Sequence, residues 1–371
     1  MNRAYKYRIY PNKEQEQLLF STFGSCRFVY NQILALQAAN YKAGIKHLSR
    51  FDANKYVNNT LKKEYPFLKE VDKFALTNAV YALENGYQKF FKKQGGYPRF
   101  KKKHRAKRSY TTNFTNGNIV VEETYIKLPK LKKIKASVHR RAPEKWKLKS
   151  ATISQERDGS YYCSILYEFE HNPALSEEPL FPTIGLDYKS DGLYADSEGT
   201  ICGSPKYYRK QSAKLAKAQR KLKGKTTGSN NYDKQQKKAA KIHRKIANQR
   251  KDYLHKESTR IANWYGIVCV EDLNMRAMSN KGFGNGKATL DNGYGMFLTM
   301  LEYKLAYRGK RLVKVDPWFP SSQICSCCGA LHKLSLADRI YRCGCGAVMD
   351  RDYNAAVNIR DEGLRLFREC A

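Results

Sequence analysis

Five cysteines fall between Cys325 and Cys345, in CSCCGALHKLSLADRIYRCGC, and this stretch restricts the local fold more tightly than any other in the chain. Cys325 and Cys328 have two residues between them, and Cys343 and Cys345 follow fourteen residues later. Two thiolate pairs at that separation suit one closed, tetrahedral, structural zinc site of the ribbon type, more than redox-active or merely buried thiols. The second pair is Cys-x-Cys, a tighter knuckle than the first. Cys327 is an extra thiol able to replace Cys328, although Gly329 as a turn residue favours Cys328. His332 is expected to be a surface residue. Cys26, Cys163, Cys202, Cys269 and Cys370 are scattered without the spacing of a disulfide framework, which fits a reducing compartment.

Charge sets the partner. Lys and Arg number 69 against 34 Asp and Glu, a formal net charge of +35, which implies a polyanion bound over a large surface rather than simple solvation. No run approaches the roughly 20 apolar residues of a membrane-spanning helix. The start, MNRAYKYRIYPNKEQ, lacks the apolar core of a signal peptide. A cytoplasmic location and no membrane partner are therefore expected.

With 371 residues, 42% of them apolar, the chain can bury the cores of two or three domains. Tyr5, Tyr7 and Ile9 share one face of a strand stopped by Pro11. Leu18, Leu19, Phe23, Phe28, Ile33 and Leu36 then recur at helical intervals, with a break expected near Gly24, and two further helices are predicted near 51–64 and 73–91. Gly95, Gly96 and Pro98 end this bundle, and strands follow to about residue 170, with Asp158-Gly159 as a hairpin turn. They predict a small β-barrel that also takes in the first strand, the helices being inserted between. HNPALSEEPLFP reads as a linker. Beyond it, strands alternate with helices, predicting an α/β layer with a partly parallel sheet. The helical stretch from Lys206 to Arg260 holds nineteen Lys and Arg but three acids, more one-sided in sign than a solvated coiled-coil hairpin.

Asp187 closes the apolar strand TIGLD and Glu271 closes IVCVE. Carboxyl ends of adjacent strands in an α/β sheet converge on one crevice, where two acids can share a hard divalent metal such as Mg²⁺. A third acid comes from the last helix. Asp352 shares the face of Ala356 and Ile359, whereas Asp350, turned roughly 200° away by helical geometry, suits the helix cap. Three such acids suit two-metal phosphodiester hydrolysis, with the ions about 4 Å apart.

At this point the sequence resembles a known family. YKYRIYPNKEQEQLL, GSCRFVYNQ, GGYPRFKKK, LAKAQRKL, KIHRKIANQRKDYLHKEST, VCVEDLNM, LEYKLAYRGKRLVKVDPWFPSSQICSCCG and DRDYNAAVNI together resemble the TnpB proteins of bacterial insertion sequences, compact relatives of type V CRISPR nucleases. The resemblance implies a multidomain α/β plus β chain. Its parts would be a wedge β-barrel at 1–12 and 91–172, an inserted helical recognition bundle at 13–90, and a linker at 173–182. A RuvC nuclease of RNase H-like fold would follow at 183–317 and 347–371, with a zinc ribbon inserted at 318–346. It implies an RNA-guided DNA endonuclease with catalytic Asp187, Glu271 and Asp352 holding Mg²⁺, and zinc on Cys325, Cys328, Cys343 and Cys345. The partners would be a guide RNA transcribed from the element's end and double-stranded target DNA beside a short motif.

By the same resemblance, Lys73, Phe74 and Thr77 in DKFALTNAV would read that motif. Tyr97, Arg99, Phe100, Lys101, Lys102 and Lys103 suit guide phosphates and stacking, and Arg244 and Arg250 in the hairpin also fall to nucleic acid. Where the family usually has Asp-Leu-Gly after the first acid, this chain has DYKSDGLYADSEG, which brings Asp191 and Asp196 close to Asp187. A guided repressor that holds DNA without cutting is the alternative, although such relatives lose the acids kept here. A single-strand transposase would need a His-hydrophobe-His motif, and no two histidines of this chain have that spacing.

Overall fold

Proline cannot donate to a sheet ladder, and strand β1 (Asn2–Tyr10) stops one residue before Pro11. Asn12 and Gln15 then cap helix α1 (Lys13–Lys42) reciprocally, each side chain accepting the other's backbone N–H. The computed structural model describes residues 1–103, 106–171, 182–280, 282, 284–335 and 338–370. These fall in two compact units, 1–170 and 171–371. The predicted linker, apart from Pro182, lies almost wholly outside the described residues.

In the first unit, α1 runs without a break through Gly24, contrary to expectation. The buried stripe of Leu19, Phe23, Cys26, Tyr30 and Ile33 continues on both sides of the glycine. That stripe outweighs the roughly 1 kcal/mol that one interior glycine costs. Helix α2 (Arg50–Tyr56) passes through a π-helical turn at Val57–Leu61 into α3 (Lys62–Glu64), and α4 (Lys73–Phe91) follows.

The strands β2 (Arg108–Asn113), β3 (Val120–Val121), β4 (Tyr125–Leu128), β5 (Lys132–Ser137), β6 (Lys147–Gln155) and β7 (Tyr161–Glu168) join β1 in an antiparallel sheet of order β2-β6-β7-β1-β5-β4-β3. The first strand therefore lies inside the sheet, and the four helices enter the chain between β1 and β2. Tyr7, Ile9, Ile134, Ile153, Cys163 and Ile165 on alternate strand positions pack in one core with Leu19, Val29, Leu76 and Leu83 of the helices.

The second unit is built on a mixed sheet. Its strands are β8 (Thr183–Tyr188), β9 (Gly192–Asp196), β10 (Ile201–Gly203), β11 (Ile267–Glu271) and β12 (Arg311–Val315), in the order β10-β9-β8-β11-β12. The first three form an antiparallel meander, whereas β11 pairs parallel with both β8 and β12. Between β10 and β11 come the basic helices α5 (Tyr207–Lys223) and α6 (Asn230–Trp264), and between β11 and β12 come α7 (Met275–Met278), α8 (Gly286–Asn292) and α9 (Tyr294–Tyr307). The short pair β13 (Ile340–Arg342) and β14 (Val348–Asp350) precedes the last helix, α10 (Arg351–Cys370).

Side-chain alternation divides this sheet into two faces. Ile184, Leu186, Val268 and Val270 point to one side and pack with Leu254 and Ile261 of α6 and Phe297 and Leu301 of α9. Ile267, Cys269 and Val315 point to the other, where Ile359 of α10 meets them. The α10 contact is very close. A Cβ at Gly185 would lie 2.0 Å from the Ala356 carbonyl oxygen, and one at Gly363 would lie 2.3 Å from Cys269 Sγ. Only glycine fits either place.

Gly185→Ala is therefore expected to destabilise the second unit by about 3 kcal/mol or more, because backbone must move to admit the methyl. Gly24→Ala, with nothing within 4 Å of the added Cβ, should instead gain about 0.5–1 kcal/mol. Urea unfolding of the two variants checks both signs. An unchanged midpoint for Gly185→Ala contradicts the packing of α10.

Candidate active site and metal centre

On the face of the second sheet that α10 covers, the alternation that aims Gly185 and Cys269 at the helix also aims Asp187 and Glu271. Val270 is in register with Leu186, so extending the ladder by one sets Glu271 beside Asp187. Asp352 reaches the same place from the first turn of α10. Asp187 feels the charges of the other two acids. Burial pushes the Asp187 carboxyl well above its usual range, and the Glu271 and Asp352 charges push it further, against Arg351 and Lys189. Burial also raises Glu271, opposed by the Ser321 hydroxyl, which donates to its Oε1 at 2.8 Å.

Asp352 behaves differently. Burial raises its carboxyl, but the ammonium of Lys189 and, behind it, the guanidinium of Arg351 hold it below the ordinary carboxylate range. Lys189 Nζ is ion-paired to Oδ2, and Arg351 Nη2 lies 3.3 Å from Oδ1. Asp350 is a cap: its Oδ1 accepts the backbone N–H of Asp352 at 2.8 Å and of Tyr353 at 3.1 Å. Of the nearby acids, Asp196 turns its Oδ1 to the N–H groups of Glu198 and Thr200, and Asp191 is exposed.

The cysteines form a tighter set. Among the described residues, the thiols of Cys325, Cys328, Cys343 and Cys345 are the group of potential ligands that all lie within 4.8 Å of one another. The Cys325–Cys345 and Cys328–Cys343 sulfurs are 3.8 and 3.5 Å apart. A tetrahedron with Zn–S arms of about 2.3 Å has edges of about 3.8 Å, so the cluster is compatible with zinc. Each knuckle closes on a glycine of positive φ, Gly329 at 75° and Gly346 at 91°. The shortened second pair therefore still brings both sulfurs inward, and Cys327 is exposed outside the set. Burial raises the Cys325 thiol, but backbone N–H groups of Cys327 and Cys328, together with hydrogen bonds from the Cys343 and Cys328 thiols, bring it down to about 6. His332 lies outside this set of four and is half-buried, its Nε2 3.2 Å from Cys343 Sγ, within reach of donating to that sulfur.

The nucleic-acid candidates are dispersed. Lys73 and Phe74 line a cleft of about 490 Å³ with Lys62, Lys69, Asn118 and Lys130, whereas Thr77 bonds its hydroxyl back to the Lys73 carbonyl. Arg99, Phe100, Lys102 and Lys103 are exposed, and Tyr97 sits edge-on to Tyr87 and Phe90. Lys101 is different, with its ammonium 3.7 Å from the centre of the Tyr30 ring. Arg244 is half-buried on α6. Arg250 is 3.4 Å from Asp291, a buried carboxylate that also caps α5 through the N–H groups of Tyr208 and Arg209.

Four residues escaped the sequence reading. Lys189 continues the alternation of β8 two places after Asp187, which was the available signal. Ser321 had none. Asn354 and Asn358 are buried amides one helical turn apart on α10. Asn354 donates to the Ile324 carbonyl and accepts from Ser326 N–H, and Asn358 donates to the carbonyls of Ser321 and Ile324. Polar residues at that spacing beside Ala355, Ala356 and Ile359 mark a helix that clamps a loop.

Comparison with known proteins bears on the family and the fold. Three family profiles match successive segments: a helix-turn-helix domain of OrfB proteins of IS605 elements at 1–46, an OrfB_IS605 profile described as "Probable transposase" at 164–282, and a Cas12f1-like TNB domain at 294–359. In this chain, residues 1–46 hold β1 and the single helix α1 rather than a helix-turn-helix. A Streptomyces pristinaespiralis protein named "Putative RNA-guided DNA endonuclease" is 37% identical over 98% of this chain and 90% of its own length. An Escherichia coli K12 protein of the same name, InsQ, is 31% identical over 97% of this chain and 92% of its own. A solved Cas12f1–sgRNA–target DNA complex superposes with a TM-score of 0.65 at 13% identity, covering 97% of this chain and 98% of that one, a likeness of fold. No described helix is long and apolar enough to cross a membrane.

The cluster geometry separates the adjacent thiols. Cys328→Ser is expected to lower bound zinc in the purified protein well below one equivalent, and Cys327→Ser to leave it unchanged, as read by elemental mass spectrometry. Equal loss in both variants contradicts the ligand set.

Proposed function

We propose, from the premise that the chain belongs to the TnpB family of IS605-type transposable elements, that it is an RNA-guided DNA endonuclease cutting target DNA beside a short flanking motif. The observation that carries the reading is the convergence of Asp187, Glu271 and Asp352 from two parallel strands and the first turn of α10. An antiparallel meander followed by two strands parallel to its first strand is the order of an RNase H-like sheet and supports a RuvC nuclease at 183–317 and 347–371. The seven-stranded sheet with α1 to α4 between its first two strands in sequence supports a wedge domain with a recognition bundle inserted. The four-thiol cluster at 318–346 supports a structural zinc ribbon.

The chemistry of the donors suits magnesium, although among the described residues the four cysteines alone form a ready-assembled ligand group. Three like-charged oxygen groups, one with its carboxyl pushed well up by burial and by the other two, favour a hard divalent cation. When bound, that ion supplies Lewis acidity for a phosphodiester and a water of lowered pKa. The protein's part is placement. Asp187 and Glu271 are fixed by strand register, Ser321 holds one oxygen of Glu271, and Asp350 caps the helix that presents Asp352.

The +35 charge suits an RNA guide and duplex DNA. Within the first unit, the cleft with Lys73 and Phe74 is our site for the flanking motif. Exposed Arg99, Phe100, Lys102 and Lys103, with Tyr97, are our guide contacts. Lys101 against Tyr30 and Arg250 against Asp291 serve the fold first.

Asp187→Ala, Glu271→Ala and Asp352→Ala are each expected to abolish cleavage while guide and target binding persist. Asp350→Ala should cost about 1 kcal/mol of stability and still cut; the opposite ranking of Asp350 and Asp352 in a plasmid assay overturns the assignment. The wider reading is tested by expressing the protein with its downstream DNA, sequencing the co-purified RNA, and challenging the complex with plasmids bearing randomised flanks. One discrete RNA and one selected flank are expected, and no discrete RNA overturns the guided reading.

A further inference from the structure

Lys189 lies just past β8 on the face that carries Asp187, and α10 lies over that face. Its aliphatic stem crosses to α10, and its ammonium pairs with Oδ2 of Asp352, the two side chains being 19% and 13% exposed. Arg351 stands 3.3 Å from the other oxygen, so both oxygens of this carboxylate face a cation. The lysine is held by its own turn: its backbone N–H donates to the Leu193 carbonyl, and its carbonyl accepts from Gly192 N–H, each at 3.3 Å. Half-buried charges in such a setting interact strongly, and an ammonium on Oδ2 repels any second cation brought to the same oxygen.

We propose that Lys189 is a resident counter-cation of the carboxylate site. Its ammonium holds the Asp352 oxygen that a divalent ion would otherwise take, and a nucleic-acid phosphate draws it away. Metal loading and polyanion binding are then coupled, because the phosphate offers the ammonium a replacement for the carboxylate it gives up. Lys189 is thus a positioning residue that acts through Asp352. The proposal rests on the reading of Asp352 as a metal ligand.

The test is a Mn²⁺ titration of the full-length, zinc-loaded protein, following free Mn²⁺ by electron paramagnetic resonance without nucleic acid. Lys189→Met and Lys189→Gln are expected to bind Mn²⁺ at least about tenfold more tightly than the wild type, and Lys189→Arg to match the wild type. A merely structural lysine predicts the opposite sign, since losing it would loosen the site. Single-stranded oligothymidylate, corrected for the ions it binds itself, should tighten wild-type binding several-fold and leave Lys189→Met unchanged. Equal or weaker binding by both Lys189→Met and Lys189→Gln overturns the proposal. Asp352→Asn separates the premise from the inference: undiminished Mn²⁺ affinity in that variant overturns the metal-ligand reading itself.

Discussion

The contact between α10 and the second sheet is the constraint on which the rest of this unit depends. Gly185 lets the backbone of Ala356 and Arg360 settle against β8, and Gly363 lets the next turn of the helix settle against Cys269 of β11. Contacts spread over about two turns of one helix constrain its tilt as well as its distance. They bring the first turn of α10 over the ends of β8 and β11, where Asp187 and Glu271 emerge. A helix standing farther off would carry Asp352 away from Asp187, whose carboxyl its charge now reaches.

That helix also organises what precedes it. Asn354 and Asn358 donate to carbonyls of residues 321–324, and Asn354 receives the N–H of Ser326 beside the first knuckle. Ser321 lies in this clamped segment and donates to Glu271. Buried amides of this kind are costly unless satisfied, and here both side chains are. The cysteine cluster and the carboxylates therefore share a mechanical support although they share no ligand. This explains why a sulfur-rich knot and an acid-bearing helix stand next to each other in the sequence.

Much of this was legible in the chain because local chemistry and tertiary demand agree there. The alternation of TIGLD and IVCVE put both acids at strand ends, and thiol spacing singled out four of five clustered cysteines once Gly329 was weighed. What could not be read depended on partners distant in sequence. The break expected at Gly24 does not occur because apolar residues on both sides of it pack into one core. Lys101 and Arg250 resemble phosphate contacts by type, yet Tyr30 and Asp291 engage them from remote parts of the chain. Sequence pattern reports which face a residue occupies, whereas the identity of its neighbour across the core comes only with the fold.

Asp350 belongs to two structures at once. Its backbone closes the β13–β14 ladder opposite Ile340, and its side chain holds the first N–H groups of α10. The boundary between the β13–β14 pair and the helix behind it thus runs through a single residue, with no spacer to absorb a change on either side. A strand pair borrowed from another protein, or a deletion that trims it, would have to reproduce that residue's dihedral angles and its oxygen. The strand pair is contiguous in sequence and yet not interchangeable as a part, which limits how freely this chain could be shortened or recombined at this junction.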